Sequence, residues 1–245
     1  MKEKNLVLMV ALLLAVSAGS ALALGPLGKP TAGLMQGQWR LGGEYGYGDM
    51  DVDVDGAVSG LSISGTIDGL NTNTFQGRLG YGMCDAWELY GLVGAANAEE
   101  DFFDGGYDIA YGVGSKVTLA QDETISWGAL FQIDWFSSDD SGTAFGEDYD
   151  IDLDVYEIIV TFGPTYSPND NVRIYGGPIF YMLEGDLDIK SNSLGVDASL
   201  DAEIDPQIGG YVGAEFDLDT NAELFVEFVF ASDITVVSGG ISWKM

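Results

Sequence analysis

Apolar residues recur at every second position along most of this chain, the spacing of strands with one apolar and one polar face. Between Gln38 and Tyr47 the odd positions are Trp39, Leu41, Gly43, Tyr45 and Tyr47, and the even ones are Gln38, Arg40, Gly42, Glu44 and Gly46. Tyr107, Ile109, Tyr111, Val113 and Val117 alternate with Asp108, Gly112, Gly114 and Lys116. Ile125, Trp127, Phe131, Ile133 and Trp135 alternate with Thr124, Ser126, Gly128, Gln132 and Asp134. The chain closes on Val237, Ile241, Trp243 and Met245 against Ser238, Gly240, Ser242 and Lys244. The pattern predicts about ten strands, near 36–48, 72–83, 87–97, 107–119, 124–136, 151–166, 171–184, 203–218, 222–231 and 235–245. Eight strands are the alternative, because the last two are joined by a tight link at Ser232-Asp233.

The connections fall into two kinds. Cys84-Asp85-Ala86, Ala120–Glu123, Ser167–Asp170 and Asp219–Asn221 are short and rich in turn-forming Asp, Asn and Pro. The alternate links, about 49–71, 98–106, 137–150 and 185–202, are longer and acidic and are expected as loops. Short turns on one side and long links on the other predict an all-β, antiparallel up-and-down barrel.

Either face of such a meander can point inward, and a lipocalin-like barrel is the soluble alternative. The strands run ten or more residues, which suits a tilted bilayer crossing. Large aromatics gather near strand ends: Trp39 and Tyr47, Tyr107, Trp127 and Trp135, and Trp243. That placement suits the interfacial girdles of a membrane barrel. The membrane orientation is therefore the expected one, with apolar residues facing lipid and polar ones facing the lumen.

The start of the chain agrees. Lys2, Glu3 and Lys4 precede an apolar run from Leu6 to about Leu24 that ends in small residues, including Ala21-Leu22-Ala23. This is the form of a secretory signal peptide over 1–23, with cleavage expected after Ala23. A single membrane anchor is the rival, since the run is about long enough to cross a bilayer. Residues 24–35 are expected as a linker and 36–245 as the barrel. Cys84 is the only cysteine, so no internal disulfide is available.

With those residues in place the chain resembles the small outer-membrane β-barrels of Gram-negative bacteria, the broad group around the OmpA transmembrane domain and OmpW. The resemblance covers residues 36–245 and rests on the signal peptide, the asymmetry of turns and links, and the alternating C-terminal strand. It implies a bacterial outer-membrane location, contact with outer-membrane lipid and lipopolysaccharide, and insertion by the barrel-assembly machinery.

Charge then adds candidate chemistry. The formal net charge is −30, and loss of Lys2, Glu3 and Lys4 with the signal makes it one unit more negative. Such a surface repels nucleic acid and attracts small cations. Arg40, Arg78, Lys116, Arg173 and Lys244 fall on the inferred lumen face of separate strands. Glu44, Glu88, Asp134, Glu157, Glu215 and Glu227 are placed in the same interior. Charges there must be paired or hydrated. Two readings stay open: a salt-bridge network filling a narrow barrel, or charges lining a small water path.

The acidic links carry a second candidate. Asp51, Asp53, Asp55 and Gly56 match the opening of an EF-hand loop, but position twelve is Ser62 where a bidentate Glu is required. The same alternation recurs at Asp150, Asp152 and Asp154, at Asp186 and Asp188, and at Glu203 and Asp205. These runs are expected to form an acidic rim that is either simply solvated or a weak, shared site for Ca2+ or Mg2+; no other cofactor is expected. The chain has no His, which removes His-dependent catalysis, and it carries neither G-x-S-x-G nor a P-loop. No enzyme activity is expected. The expected function is a structural or small-pore outer-membrane barrel. The alternative is a surface-binding barrel with a plugged lumen, its acidic loops contacting divalent cations, lipopolysaccharide or another cell.

Overall fold

The computed structural model describes residues 25–58, 61–100, 103–104, 106–144, 147–191, 196–218 and 221–245. The signal-peptide segment expected over 1–23 lies outside them. The strands are β1 (Trp39–Val58), β2 (Leu61–Cys84), β3 (Trp87–Glu100), the two-residue β4 (Phe103–Asp104), β5 (Asp108–Gln121), β6 (Ile125–Ala144), β7 (Glu147–Asn169), β8 (Val172–Ser191), β9 (Val196–Asp217), β10 (Ala222–Phe230) and β11 (Ile234–Lys244). All but β4 form the wall. Each wall strand pairs with its chain neighbours, β3 takes up β5 directly, and β11 returns to β1, so the sheet closes on itself. The result is an up-and-down antiparallel barrel of ten strands. Closure leaves no edge strand in the membrane, where an unpaired backbone group has no water to bond.

The faces follow the period-two pattern. Leu41, Val113, Phe131, Val160, Phe180, Val212 and Phe228 stand exposed on the outside of the wall, while Arg40, Arg78, Glu88, Lys116 and Glu157 are buried inside it. A water-soluble sheet would do the reverse. Aromatics mark both ends of this apolar band. Trp39, Trp127 and Trp243 stand outward at the short-turn end, where Trp39 packs on Tyr81 at 4.7 Å and Trp127 on Phe162 at 5.5 Å. Tyr47, Tyr107 and Trp135 stand on the same outer face at the other end, with Trp135 stacked on Tyr111 at 5.6 Å.

The strand bounds depart from expectation on the long-link side. The stretches expected as loops at 49–71, 137–150 and 185–202 are largely strand, extending β1, β2, β6, β7, β8 and β9. Their Asp-x-Asp runs are themselves period two with the polarity of the faces reversed. Val52, Val155, Leu183, Leu200, Ala202 and Ile204 turn inward, while Asp53, Asp55, Asp154, Asp186, Asp201 and Glu203 are exposed outside. Beyond the lipid the outer face meets water, so the ordinary arrangement of apolar residues inside returns. On β9 the change of face needs a slip: Tyr211 and Glu215 point inward at odd positions, Ile204 and Ala202 at even ones. The β8–β9 register shifts at that point, beside Pro206, as a proline within a sheet requires.

β10 and β11 do not join this extension. They turn tightly through Ala231–Asp233, with the Ala231 amide donating to the Ile234 carbonyl at 2.8 Å. β1 and β9 therefore meet above them, pairing Asp53 with Glu203, Val54 with Ala202, Asp55 with Asp201 and Gly56 with Leu200. A side chain at Gly56 would lie 2.3 Å from Leu200 Cδ2, so the crossing depends on glycine there.

Candidate functional site

The lumen is built from the inward positions of the wall and from a segment that the sequence reading made a linker. Residues 25–35 run down the inside of the barrel. Leu27, Lys29, Thr31 and Leu34 are buried there. At Gly37, whose φ is +82°, the chain turns at the short-turn end and starts β1. This corrects the expected linker. The sequence Gly25-Pro-Leu-Gly-Lys-Pro-Thr-Ala-Gly-Leu34 is small and proline-rich, which resembles a linker, but such a chain also fits a narrow channel.

The wall holds this segment by its backbone. Glu227 accepts the Leu27 and Gly28 amides at 3.0 and 2.9 Å. Glu88 accepts the Gly33 amide at 2.9 Å, and Thr118 Oγ1 accepts the Ala32 amide at 3.1 Å. Arg78 donates to the Pro26 carbonyl at 2.5 Å, and Lys29 Nζ reaches Glu215 at 2.5 Å. Gly28 has φ +72°, and a Cβ there would stand 2.9 Å from Lys116 Nζ, so the segment passes where only glycine fits.

The charges expected in the lumen are gathered into three layers. Nearest the short turns, Arg40 pairs with Glu88 at 3.2 Å and Glu223 at 3.1 Å, Lys244 with Glu223 at 2.6 Å, and Arg173 with Glu215 at 2.8 Å and Asp217 at 2.7 Å. Above them Arg78 forks onto Glu44 at 2.6 and 3.0 Å and lies 4.1 Å over the ring of Tyr90. Lys116 faces the same ring at 5.4 Å. Higher still come Gln132, Asp134 and Glu157, with Tyr90 donating to Gln132 at 2.8 Å and Tyr181 to Glu157 at 3.1 Å. The apolar inward residues of the strand extensions cover this top layer. Three carboxylates, Glu215, Asp217 and Glu223, converge closely enough to suggest a metal site. Arg173, Lys29 and Lys244 already hold them, so the cations there belong to the protein.

Several lumen residues were not singled out from sequence: Lys29, Tyr90, Tyr181, Asp217 and Glu223. Asp217 and Glu223 fall at the ends of the strands expected at 203–218 and 222–231, next to the acidic Asp219–Asn221 link. Tyr90 and Tyr181 lie on strands whose alternation is broken by aromatics on both faces. The rim acids lie on the outside of the extension, not around an opening. Asp55, Asp201, Asp186 and Asp154 stand opposite one another across four neighbouring strands, and Asp53, Glu203, Glu184 and Tyr156 form the next row. Tyr156 donates to Glu184. Asp51, Asp188 and Asp205 lie on the same extensions, while the side chains of Asp150 and Asp152 lie outside the described residues.

No family model matches the chain, and no curated protein matches it in sequence. Among solved structures it is similar to the outer membrane protease OmpT of Escherichia coli, at TM-score 0.53 and 9% identity, over 85% of this chain and 97% of that one. The fold is that of a bacterial outer-membrane barrel. Weaker likenesses are to the translocator domain of the autotransporter NalP from Neisseria meningitidis (TM-score 0.47, 10% identity, 98% of this chain and 95% of that one) and to Ail, the attachment invasion locus protein of Yersinia pestis, in complex with sucrose octasulfate (TM-score 0.36, 14% identity, 86% and 100%). At these identities the likeness extends to the barrel fold alone.

Proposed function

We propose that this outer-membrane barrel is closed to solutes and acts through its outer acidic sheet, which gathers divalent cations and through them the phosphates of surrounding lipopolysaccharide. The observation that carries this reading is the occupied lumen. A passive pore needs a continuous water path, and the strand of chain from Gly25 to Leu34 fills that path with bonded backbone. What remains accessible is the outside. Like charges directly opposite on neighbouring strands destabilise the pairing, and a row of four carboxylates invites hard cations held by several oxygens. No catalytic role is assigned: the chain has no His, and Glu44, Glu88, Glu215, Glu223 and Glu227 in the lumen are held by arginine, lysine or backbone amides.

The test is calcium-dependent co-flotation with vesicles of lipopolysaccharide and, separately, of phospholipid, using the folded barrel and an Asp55→Asn/Asp186→Asn/Asp201→Asn variant. Calcium is expected to raise lipopolysaccharide association and the urea midpoint of the parent severalfold more than those of the variant. Equal responses of parent and variant would remove the acidic sheet from the account.

A further inference from the structure

We propose that the outer face of the barrel carries a binding groove for a small organic polycation, a linear alkyl diamine or triamine, where the aromatic girdle meets the acidic sheet. A cavity of about 430 Å3 lies there, lined by residues of β5 to β9. That volume is in the range of small-ligand sites.

Two rows of outward side chains, running across the strands, form the walls of the groove. The lower row is Tyr111, Trp135, Tyr156, Glu184 and Glu203, each directly opposite the next on a neighbouring strand. The upper row is Ser137, Asp154, Asp186 and Asp201. Between the rows lie Val155, Gly185 and Ala202, at positions whose side chains point inward, so the floor is backbone. One end of the groove is therefore walled by aromatic rings and the other by carboxylates.

These rings are set differently from the rest of the girdle. Trp39, Trp127 and Trp243 are 45, 42 and 46% exposed and face Tyr81, Pro164 and Leu41 across their strands. Trp135 is half-buried, stacked on Tyr111 with centroids 5.6 Å apart and planes at 15°. On its other side it faces Tyr156, whose hydroxyl donates to Glu184. Anchoring in the membrane interface calls for rings at the headgroup level. It does not call for carboxylates around the same hollow.

The combination selects the ligand. Ring faces attract organic ammonium groups, whereas Ca2+ and Mg2+ are satisfied by carboxylate, carbonyl and water oxygens. The chain supplies few cations of its own here. Lys190 is the only basic residue in the sequence of these strand extensions, and it pairs with Asp188 at 4.0 Å, beyond Asp186. Neighbouring strands lie about 4.8 Å apart, so the carboxylates of one row repeat at that interval over β7, β8 and β9. An extended trimethylene spacer separates two ammonium groups by a similar length. A triamine laid across the strands would set its ammonium groups over successive carboxylates, its methylenes along the floor and one end against Trp135. This site goes beyond the reading of the outer sheet as a collector of divalent cations. It shares Asp186 and Asp201 with that reading but does not rest on it.

The probe is bis(3-aminopropyl)amine, titrated calorimetrically into the folded barrel at constant ionic strength, with MgCl2 and propylamine as comparisons. The triamine is expected to bind at least tenfold more tightly than either. Trp135→Leu should weaken it at least fivefold, Trp135→Phe should recover most of that loss, and both variants should keep the parent's calcium-dependent flotation with lipopolysaccharide. Glu184→Gln/Glu203→Gln should weaken it at least tenfold. Triamine binding unchanged by Trp135→Leu, displaced by Mg2+ at equal concentration, or no tighter than that of propylamine would overturn the proposal and leave only a layer of counter-ions. Tight triamine binding by a barrel that shows no calcium-dependent flotation would support the groove and count against the divalent-cation reading alone. If Trp135→Leu does not give the heat-shifted mobility of a folded barrel, competition between triamine and Mg2+ on the unaltered barrel decides.

Discussion

At the scale of single residues, the interior depends on pairs that cannot be half removed. Arg78 holds Glu44 by two bonds, carries the Pro26 carbonyl and lies over Tyr90. Arg78→Met would leave Glu44 charged and buried. Removing one partner of such a pair costs about 3–5 kcal/mol, so the variant is expected to show a loss of that order in urea unfolding monitored by heat-shifted gel mobility. Outside the membrane, Asp122 caps the β5–β6 turn. It accepts the Thr124 and Ile125 amides at 2.9 and 2.8 Å, and these bonds hold its carboxyl below its ordinary range. A folded pKa lower than the unfolded one means that the contribution is present above pH 4 or so. It fades as pH falls through the lowered value. Asp122→Asn should therefore narrow the stability gap to the parent as the medium is acidified from pH 6 to pH 2, read as unfolding midpoints. A gap that stays constant over that range would remove Asp122 as the source.

At the scale of elements, the wall was legible and the segment inside it was not. Ten strands, their turns and the facing of Arg40, Arg78, Lys116 and Glu215 follow from a period of two, because lipid and lumen impose opposite polarities along one strand. The acidic links misled for a physical reason. Asp51-Val-Asp-Val-Asp55 carries so many charges that it resembles a solvated loop, yet its alternation is that of a strand whose wet face is outside. The lumen segment left little trace, since Pro26, Gly28 and Pro30 give no period and its contacts lie some 50 to 200 residues away. The crossing of β1 over β9 gives this scale its test. Gly56→Leu would drive a side chain into Leu200, so the extensions should separate there and limited proteolysis near 54–58 should rise at least severalfold. A cleavage rate equal to the parent's would show that the close approach is dispensable. Gly82 has a corresponding role at the other end: a Cβ there would meet the Met35 carbonyl at 2.0 Å.

At the scale of the whole molecule, the barrel separates its surfaces by chemistry: an apolar belt toward lipid, a charged interior in which most acids are paired with arginine or lysine, and an acidic sheet on the strand extensions. The interior is closed by two independent devices, the descending segment 25–35 and the apolar cap of Val155, Leu183, Ala202 and Ile204. Neither device alone accounts for the lower lumen, where wall charges pair with each other and with Lys29. The claim that most needs testing is that this interior carries no water path while the segment is in place. Planar-bilayer recording of the folded barrel beside a barrel lacking residues 25–34, each verified by heat-shifted mobility, addresses it directly. The full barrel is expected to be silent across a KCl gradient, and the shortened one to show discrete, cation-selective steps. Equal stepwise conductance in both would contradict a closed lumen and return the barrel to the passive pores.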